Sequence, residues 1–220
     1  MIPDPRAVRI PFGNAWLDAD LAAAPTEGST IIFAHGSGSG RSSPRNQLVA
    51  TRLSAHGFGT LLLDLLTESE ARIDEVTAEH RFNIPLLTER LLVATDWLIA
   101  KPEGRGTSVG YFGASTGGAV AMMAAAQRPE SVGAIVLRGA RSDLGDSAAP
   151  RIRCPTLLIA GANDPLIRRA NEQTVRLLRC EKNLEVIPNS THLFEEPGAL
   201  DRVAERTTEW FVRYLSRPRE

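Results

Sequence analysis

Four short stretches carry residue types that could do chemistry together. Gly113-Ala114-Ser115-Thr116-Gly117 follows the apolar run Val109 to Phe112 and opens a small-residue segment that continues to Ala126. Its context is therefore strand, tight turn, helix, the setting in which a serine hydroxyl is lifted clear of a sheet. Flanking glycines suit such a turn because a Cβ there would meet the neighbouring strand or helix. Asp164 lies 49 residues after Ser115 and His192 a further 28. A serine hydroxyl is a poor nucleophile until an imidazole can take its proton, and that imidazole must be held in one tautomer by a carboxylate. The three types in this order predict Ser115 as nucleophile, His192 as proton carrier and Asp164 as the group that orients His192.

The fourth stretch, His35-Gly36-Ser37-Gly38-Ser39-Gly40, leaves the apolar strand Thr30 to Ala34. As a phosphate cradle it lacks the lysine of a Walker motif and the glycine spacing of a dinucleotide fingerprint. As an oxyanion loop it fits, with the N–H groups of Ser37 and Thr116 as donors to a tetrahedral intermediate. His35 is expected to fix the loop.

These residues need a scaffold that brings the loops together. Along the chain, Ala7 to Phe12 and Ala15 to Leu21 alternate around Gly13-Asn14 as an opening hairpin. After it strands and helices alternate: a helix from Ser42-Ser43-Pro44 to about His56, a strand at Phe58 to Leu63, a helix begun by Asn83 and Pro85 with a stripe of Leu87, Leu91, Ala94 and Leu98. Strands at Val132 to Leu137, Thr156 to Ala160 and Leu184 to Ile187 follow, and a last helix starts near Ala199. That alternation predicts an α/β fold with a mostly parallel, doubly wound sheet of about eight strands. Ligands bind beyond the carboxyl ends of strands in such a sheet, and Ser37, Ser115, Asp164 and His192 each follow a strand there. The order Ser, acid, His is that of the α/β-hydrolase fold.

With 220 residues the chain reads as a single domain, 1–220. A net charge of −1 gives no basic surface for nucleic acid or an anionic membrane. The N-terminus from Met1 lacks the layout of a signal peptide, so the expected location is cytoplasmic, and the uncharged run Gly106 to Gln127 is broken by glycines and hydroxyls. Cys154 and Cys180 read as reduced thiols, and no metal or cofactor motif occurs. Residues 64–82 are polar and acidic, a solvated loop or short helix, with a flap at the site mouth as the sharper alternative.

The chain resembles an α/β-hydrolase from end to end, and within that fold the dienelactone hydrolase-like group. Gly38 to Asn46 and Arg138 to Leu144 are similar to a bacterial branch in which some members are fused to a phosphoribosyltransferase-like domain. The family's triad and elbow map onto Ser115, Asp164 and His192. One departure stands: dienelactone hydrolases carry cysteine where this chain has Ser115. The resemblance thus implies a serine hydrolase of a small carboxylic ester or lactone with no cofactor, and the family's lactone specificity is not carried over. Only Arg138 to Arg153 separate one strand from Cys154, where lids are commonly inserted, so no large cap domain is expected. Arg138 and Arg141 leave a strand beside the elbow and could receive a substrate carboxylate, unless Asp143 or Asp146 pairs with them. An idle hydrolase-fold binding module and an acyltransferase are the alternatives, and the sequence leaves a homodimer open.

Overall fold

A computed structural model describes residues 4–24, 28–101 and 108–216, so Met1 and the start of the uncharged run at Gly106 lie outside the described residues. The strands are β1 (Arg6–Phe12), β2 (Ala15–Ala22), β3 (Thr30–Ala34), β4 (Gly59–Leu63), β5 (Val109–Ala114), β6 (Val132–Arg138), β7 (Thr156–Gly161) and β8 (Lys182–Ile187). The helices are α1 (Pro44–Ala55), α2 (Glu68–Thr77), α3 (Ile84–Ile99), α4 (Thr116–Gln127), α5 (Pro165–Leu177) and α6 (Ala199–Leu215). They form one eight-stranded sheet in the order β1-β2-β4-β3-β5-β6-β7-β8, parallel from β4 to β8 and antiparallel at the β1–β2 hairpin and its junction with β4. Gly13, at φ +54, makes the hairpin turn.

Central strands are apolar on both faces because both faces are covered. Ile32, Leu61, Tyr111 and Leu158 pack toward α3 and α4, where Leu87, Leu91, Ala94 and Leu98 are all buried. Ile31, Phe33, Phe112 and Val136 pack on the opposite face, toward α1 and α6. Phe33 and Phe112 meet there with ring centroids 5.0 Å apart, each such side chain contributing about 1.5–3 kcal/mol by burial.

Local signals hold with two adjustments. Ser43 occupies the position before α1, but its side chain makes no capping bond, so Pro44 with its preset φ starts the helix. The acidic stretch contains a real helix, α2, whose Thr67 and Glu70 form a capping box. Asp74, buried on α2, accepts from the Arg81 and His80 N–H groups and pairs with the Arg81 guanidinium at 2.7 Å. Between β6 and β7 the described chain makes only short 3-10 turns, Ser142–Gly145 and Ala149–Arg151, and inserts no cap.

Candidate active site

Ser115 sits between β5 and α4 with φ 51 and ψ −120, a backbone conformation that side chains other than glycine rarely adopt. Its neighbours explain how that is held. A Cβ on Gly113 would stand 2.6 Å from the Gly117 carbonyl oxygen, and one on Gly117 only 2.1 Å from the Ala34 carbonyl oxygen. The Ser115 N–H donates to the Arg138 carbonyl at 3.0 Å, and its carbonyl accepts from Gly118 and Arg141. Thr116 is the first residue of α4, so its N–H has no intrahelical partner.

The Asp164 and His192 loops are tied to each other. Gly161 lets the second loop lie against the end of β7: a Cβ there would meet the Ser190 carbonyl oxygen at 2.3 Å. The Asn163 N–H donates to that same carbonyl at 2.9 Å. Asp164 caps α5, accepting from the Ile167 N–H at 3.4 Å through one carboxylate oxygen. Its other oxygen lies 2.7 Å from His192 Nδ1, and His192 Nε2 lies 3.2 Å from Ser115 Oγ. The imidazole thus bridges carboxylate and hydroxyl, with 37% of the histidine side chain and 14% of the aspartate side chain exposed. A ring held in this way can accept the serine proton on one nitrogen while the other is fixed by the acid.

The loop after β3 packs over the elbow, where a Cβ on Gly36 would touch Ser115 Cβ at 3.0 Å. His35 fixes it: Nε2 accepts from the Leu65 N–H at 3.0 Å, so Nδ1, 2.9 Å from the Gly36 carbonyl, is the protonated nitrogen. Burial holds the His35 pKa below its ordinary value, against the opposing pull of the Gly36 carbonyl and Asp64. The Ser37 N–H donates to Thr116 Oγ1 at 2.8 Å, which brings the two residues read as oxyanion donors into direct contact.

A pocket of about 360 Å³ opens beside Ser37 and Thr116. Residues 64–82 form its far wall through Leu66, Glu68, Asp74 and Arg81. Two of its lining groups escape sequence reasoning: Asp18 sits on an antiparallel strand, and Arg41 is committed to Asp64 at 2.7 Å and Asp20 at 3.4 Å. Asp64 immediately follows β4, so the strand-end rule could have found it. Of the two arginines at and beyond the end of β6, Arg141 is half-exposed and gripped by Asp143 at 2.9 Å. Arg138 is buried with no carboxylate partner among the described residues, and burial with the neighbouring Arg45 charge lowers its pKa to about 10. No grouping of His, Cys, Asp and Glu suited to a metal ion occurs among the described residues, and none of their helices is long and apolar enough to cross a membrane.

A strained serine at a strand-to-helix turn, with an acid and a histidine on later strand ends of a mostly parallel sheet, defines an α/β-hydrolase fold. The chain belongs to the dienelactone hydrolase family, whose model matches residues 21–216. It is similar to the crystal structure of dienelactone hydrolase from Anabaena variabilis, with 48% identity and a TM-score of 0.95 over 98% of this chain and 100% of that one. Est1E from Butyrivibrio proteoclasticus shares the fold at 16% identity and a TM-score of 0.80, covering 94% of this chain and 98% of its own. A Mycobacterium tuberculosis protein provisionally named a phosphoribosyl transferase is 44% identical over 188 residues, which make up 86% of this chain. The chain spans 42% of that relative's length.

Proposed function

We propose that the protein is a serine hydrolase that cleaves a small carboxylic ester through an acyl-enzyme. Ser115 Oγ attacks the acyl carbon while His192 Nε2 takes its proton, giving a tetrahedral oxyanion. Collapse expels the alcohol oxygen, which leaves with the proton from His192, and the acyl group stays on Ser115. Water then attacks the acyl carbon, again losing a proton to His192, and collapse returns that proton to Ser115 as the carboxylic acid departs. Asp164 keeps His192 in the tautomer both halves need. The oxyanion is held by the Thr116 N–H and by the Thr116 hydroxyl, which accepts from the Ser37 N–H and keeps its own proton to offer; the Ser37 N–H becomes a second amide donor only by turning from Thr116 Oγ1 to the oxyanion.

The single observation behind this reading is the His192 ring spanning Asp164 at 2.7 Å and Ser115 at 3.2 Å. The exposed histidine edge and the uncapped fold favour a small or exposed ester over a long buried acyl chain. The transferase name of the mycobacterial relative is not carried over, since these residues serve acyl chemistry. Intact mass after treatment with a fluorophosphonate tests the proposal: one adduct on the wild type, none on Ser115→Ala, and strongly slowed labelling of His192→Ala. A folded wild type that takes no adduct would sink it.

A further inference from the structure

Once Ser115 Oγ has added to the acyl carbon, three substituents remain to be placed: the oxyanion, the alcohol oxygen and the acyl group. The oxyanion takes the Thr116 donors, and the alcohol oxygen must reach His192 Nε2 to collect its proton. The acyl group is left with the direction away from the histidine. The cavity of about 360 Å³ opens on that side, lined by Gly36, Ser37 and Thr116 at the oxyanion end. None of the described residues that line it follows Thr116 in the chain, so His192, Asp164 and the loops after β6, β7 and β8 take no part in it. A Cβ on Gly36 would stand 3.7 Å from Ser115 Oγ, which puts the rim of the cavity beside the nucleophile. At about 30 Å³ for each water-sized group, the space holds roughly ten non-hydrogen atoms.

The far wall is α2, a helix turned inside out. Ile73 and Val76 face solvent at 48% and 89% exposure, whereas Asp74 is buried. Polar ties hold the helix in that pose: Arg81 to Asp74 and Arg90 to Glu70, both at 2.7 Å. The Arg81 guanidinium also reaches the oxyanion loop, 4.0 Å from where a Cβ on Gly38 would stand. From α2, Glu68, Ala71 and Glu75 line the cavity together with the apolar Leu66 and Leu87. Its two arginines are taken, Arg41 by Asp64 and Arg81 by Asp74, each at 2.7 Å, while no cation pairs with Glu75 among the described residues.

We propose that this cavity is the acyl pocket and that α2 sets its selection: the acyl group is compact and carries no negative charge, and the alcohol lies on the open His192 side. A carboxylate at the end of the acyl chain would meet Glu68 and Glu75 with both lining arginines already committed. This rests on Ser115 being the nucleophile.

The test uses phenyl acetate, phenyl hexanoate and the monophenyl ester of adipic acid at pH 7, which share one leaving group. By kcat/KM the wild type should cleave the hexanoate about 10-fold better than the adipate at low ionic strength, with the gap narrowing in about 1 M salt. Glu75→Lys, at an exposed position, should narrow it to about 3-fold. Ala71→Phe fills the space and should lower the hexanoate-to-acetate ratio about 30-fold. If Ala71→Phe leaves that ratio alone and instead discriminates 2-naphthyl from phenyl acetate, the cavity takes the alcohol and the proposal fails. Adipate cleaved as well as hexanoate, or a preference that neither salt nor Glu75→Lys moves, overturns the charge selection. Fluorophosphonate labelling run alongside separates the two readings: an unlabelled wild type defeats the nucleophile, a labelled one without these preferences defeats only the acyl pocket.

Discussion

Asp164→Asn separates the chemistry of the carboxylate from its structural duty. One carboxylate oxygen holds His192 Nδ1 at 2.7 Å and the other caps α5 through the Ile167 N–H. Asparagine can keep the cap, because it ranks with aspartate at that position, but it presents no charge to a developing imidazolium. It also allows the ring to settle in the wrong tautomer, which in serine proteases lowers kcat about 10,000-fold. The His192 side chain is 37% exposed here, so water recovers part of the lost stabilisation. We expect kcat/KM to fall about 1,000-fold, or about 4 kcal/mol of transition-state stabilisation. The Tm should move little, whereas Asp164→Ala should lose the cap as well, about 1 kcal/mol and 2–4 °C. A neutral phenyl ester followed by absorbance, with Tm from circular dichroism, gives both numbers. A folded Asp164→Asn protein that keeps more than a tenth of wild-type kcat/KM would refute the assignment of Asp164.

Three further outcomes follow from the same geometry. Gly117→Ala puts a Cβ 2.1 Å from one backbone oxygen and 2.5 Å from the His35 carbonyl oxygen, so the end of β3 must retreat. Ester turnover should drop about 100-fold, with a lower Tm, and a wild-type rate would mean the elbow tolerates what its contacts forbid. Thr116→Val removes the hydroxyl that accepts from Ser37 while leaving the Thr116 amide in place. A loss of about 100-fold in kcat would assign the hydroxyl to the oxyanion, and an unchanged kcat would restrict the hole to the two amides. His35 has a folded pKa below its ordinary 6.5, so its neutral form stabilises fully above about pH 6.5, and that contribution is lost as pH falls toward the folded value. The wild-type Tm should therefore drop more than that of His35→Gln between pH 7 and 5, and parallel melting curves would count against the His35–Leu65 bond.

What the sequence made legible is what hydrophobic period and strand-end position encode. The α3 stripe from Leu87 to Leu98, the hairpin at Gly13, and the positions of Ser115, Asp164 and His192 beyond strand ends all rest on local pattern. α2 stood between loop and helix because the group it buries is Asp74, and a buried acid gives no hydrophobic period. The strand order, with β4 between β2 and β3, brings Asp18 and Asp64 to one pocket, and no run of residues announces that pairing. Nor could spacing distinguish Arg138 from Arg141. They sit three positions apart, yet only Arg138 lies within a strand that carries it under the His192 loop, while Arg141 has turned out to meet Asp143.

The least legible feature is the strain that places the reacting groups. Ser115 at φ 51, Asn189 at φ 56 and Phe194 at φ 58 all adopt a region that costs a non-glycine residue about 1–3 kcal/mol, and the last two bracket His192. Asparagine is a type that tolerates such a backbone, but serine and phenylalanine do not signal it. Packing imposes it: Phe194 is 1% exposed in the α1–α6 core, so its ring fixes the far end of the loop. Nearer the histidine, Glu196 accepts from the Thr191 N–H at 2.8 Å and from its hydroxyl at 2.5 Å. The histidine loop is thus anchored by a buried aromatic on one side and a carboxylate clamp on the other. The proposed relay geometry depends on residues outside the Ser115, His192 and Asp164 set. Loosening Phe194 should therefore damage turnover more than binding, because the distance from His192 to Ser115 is what that anchor sets.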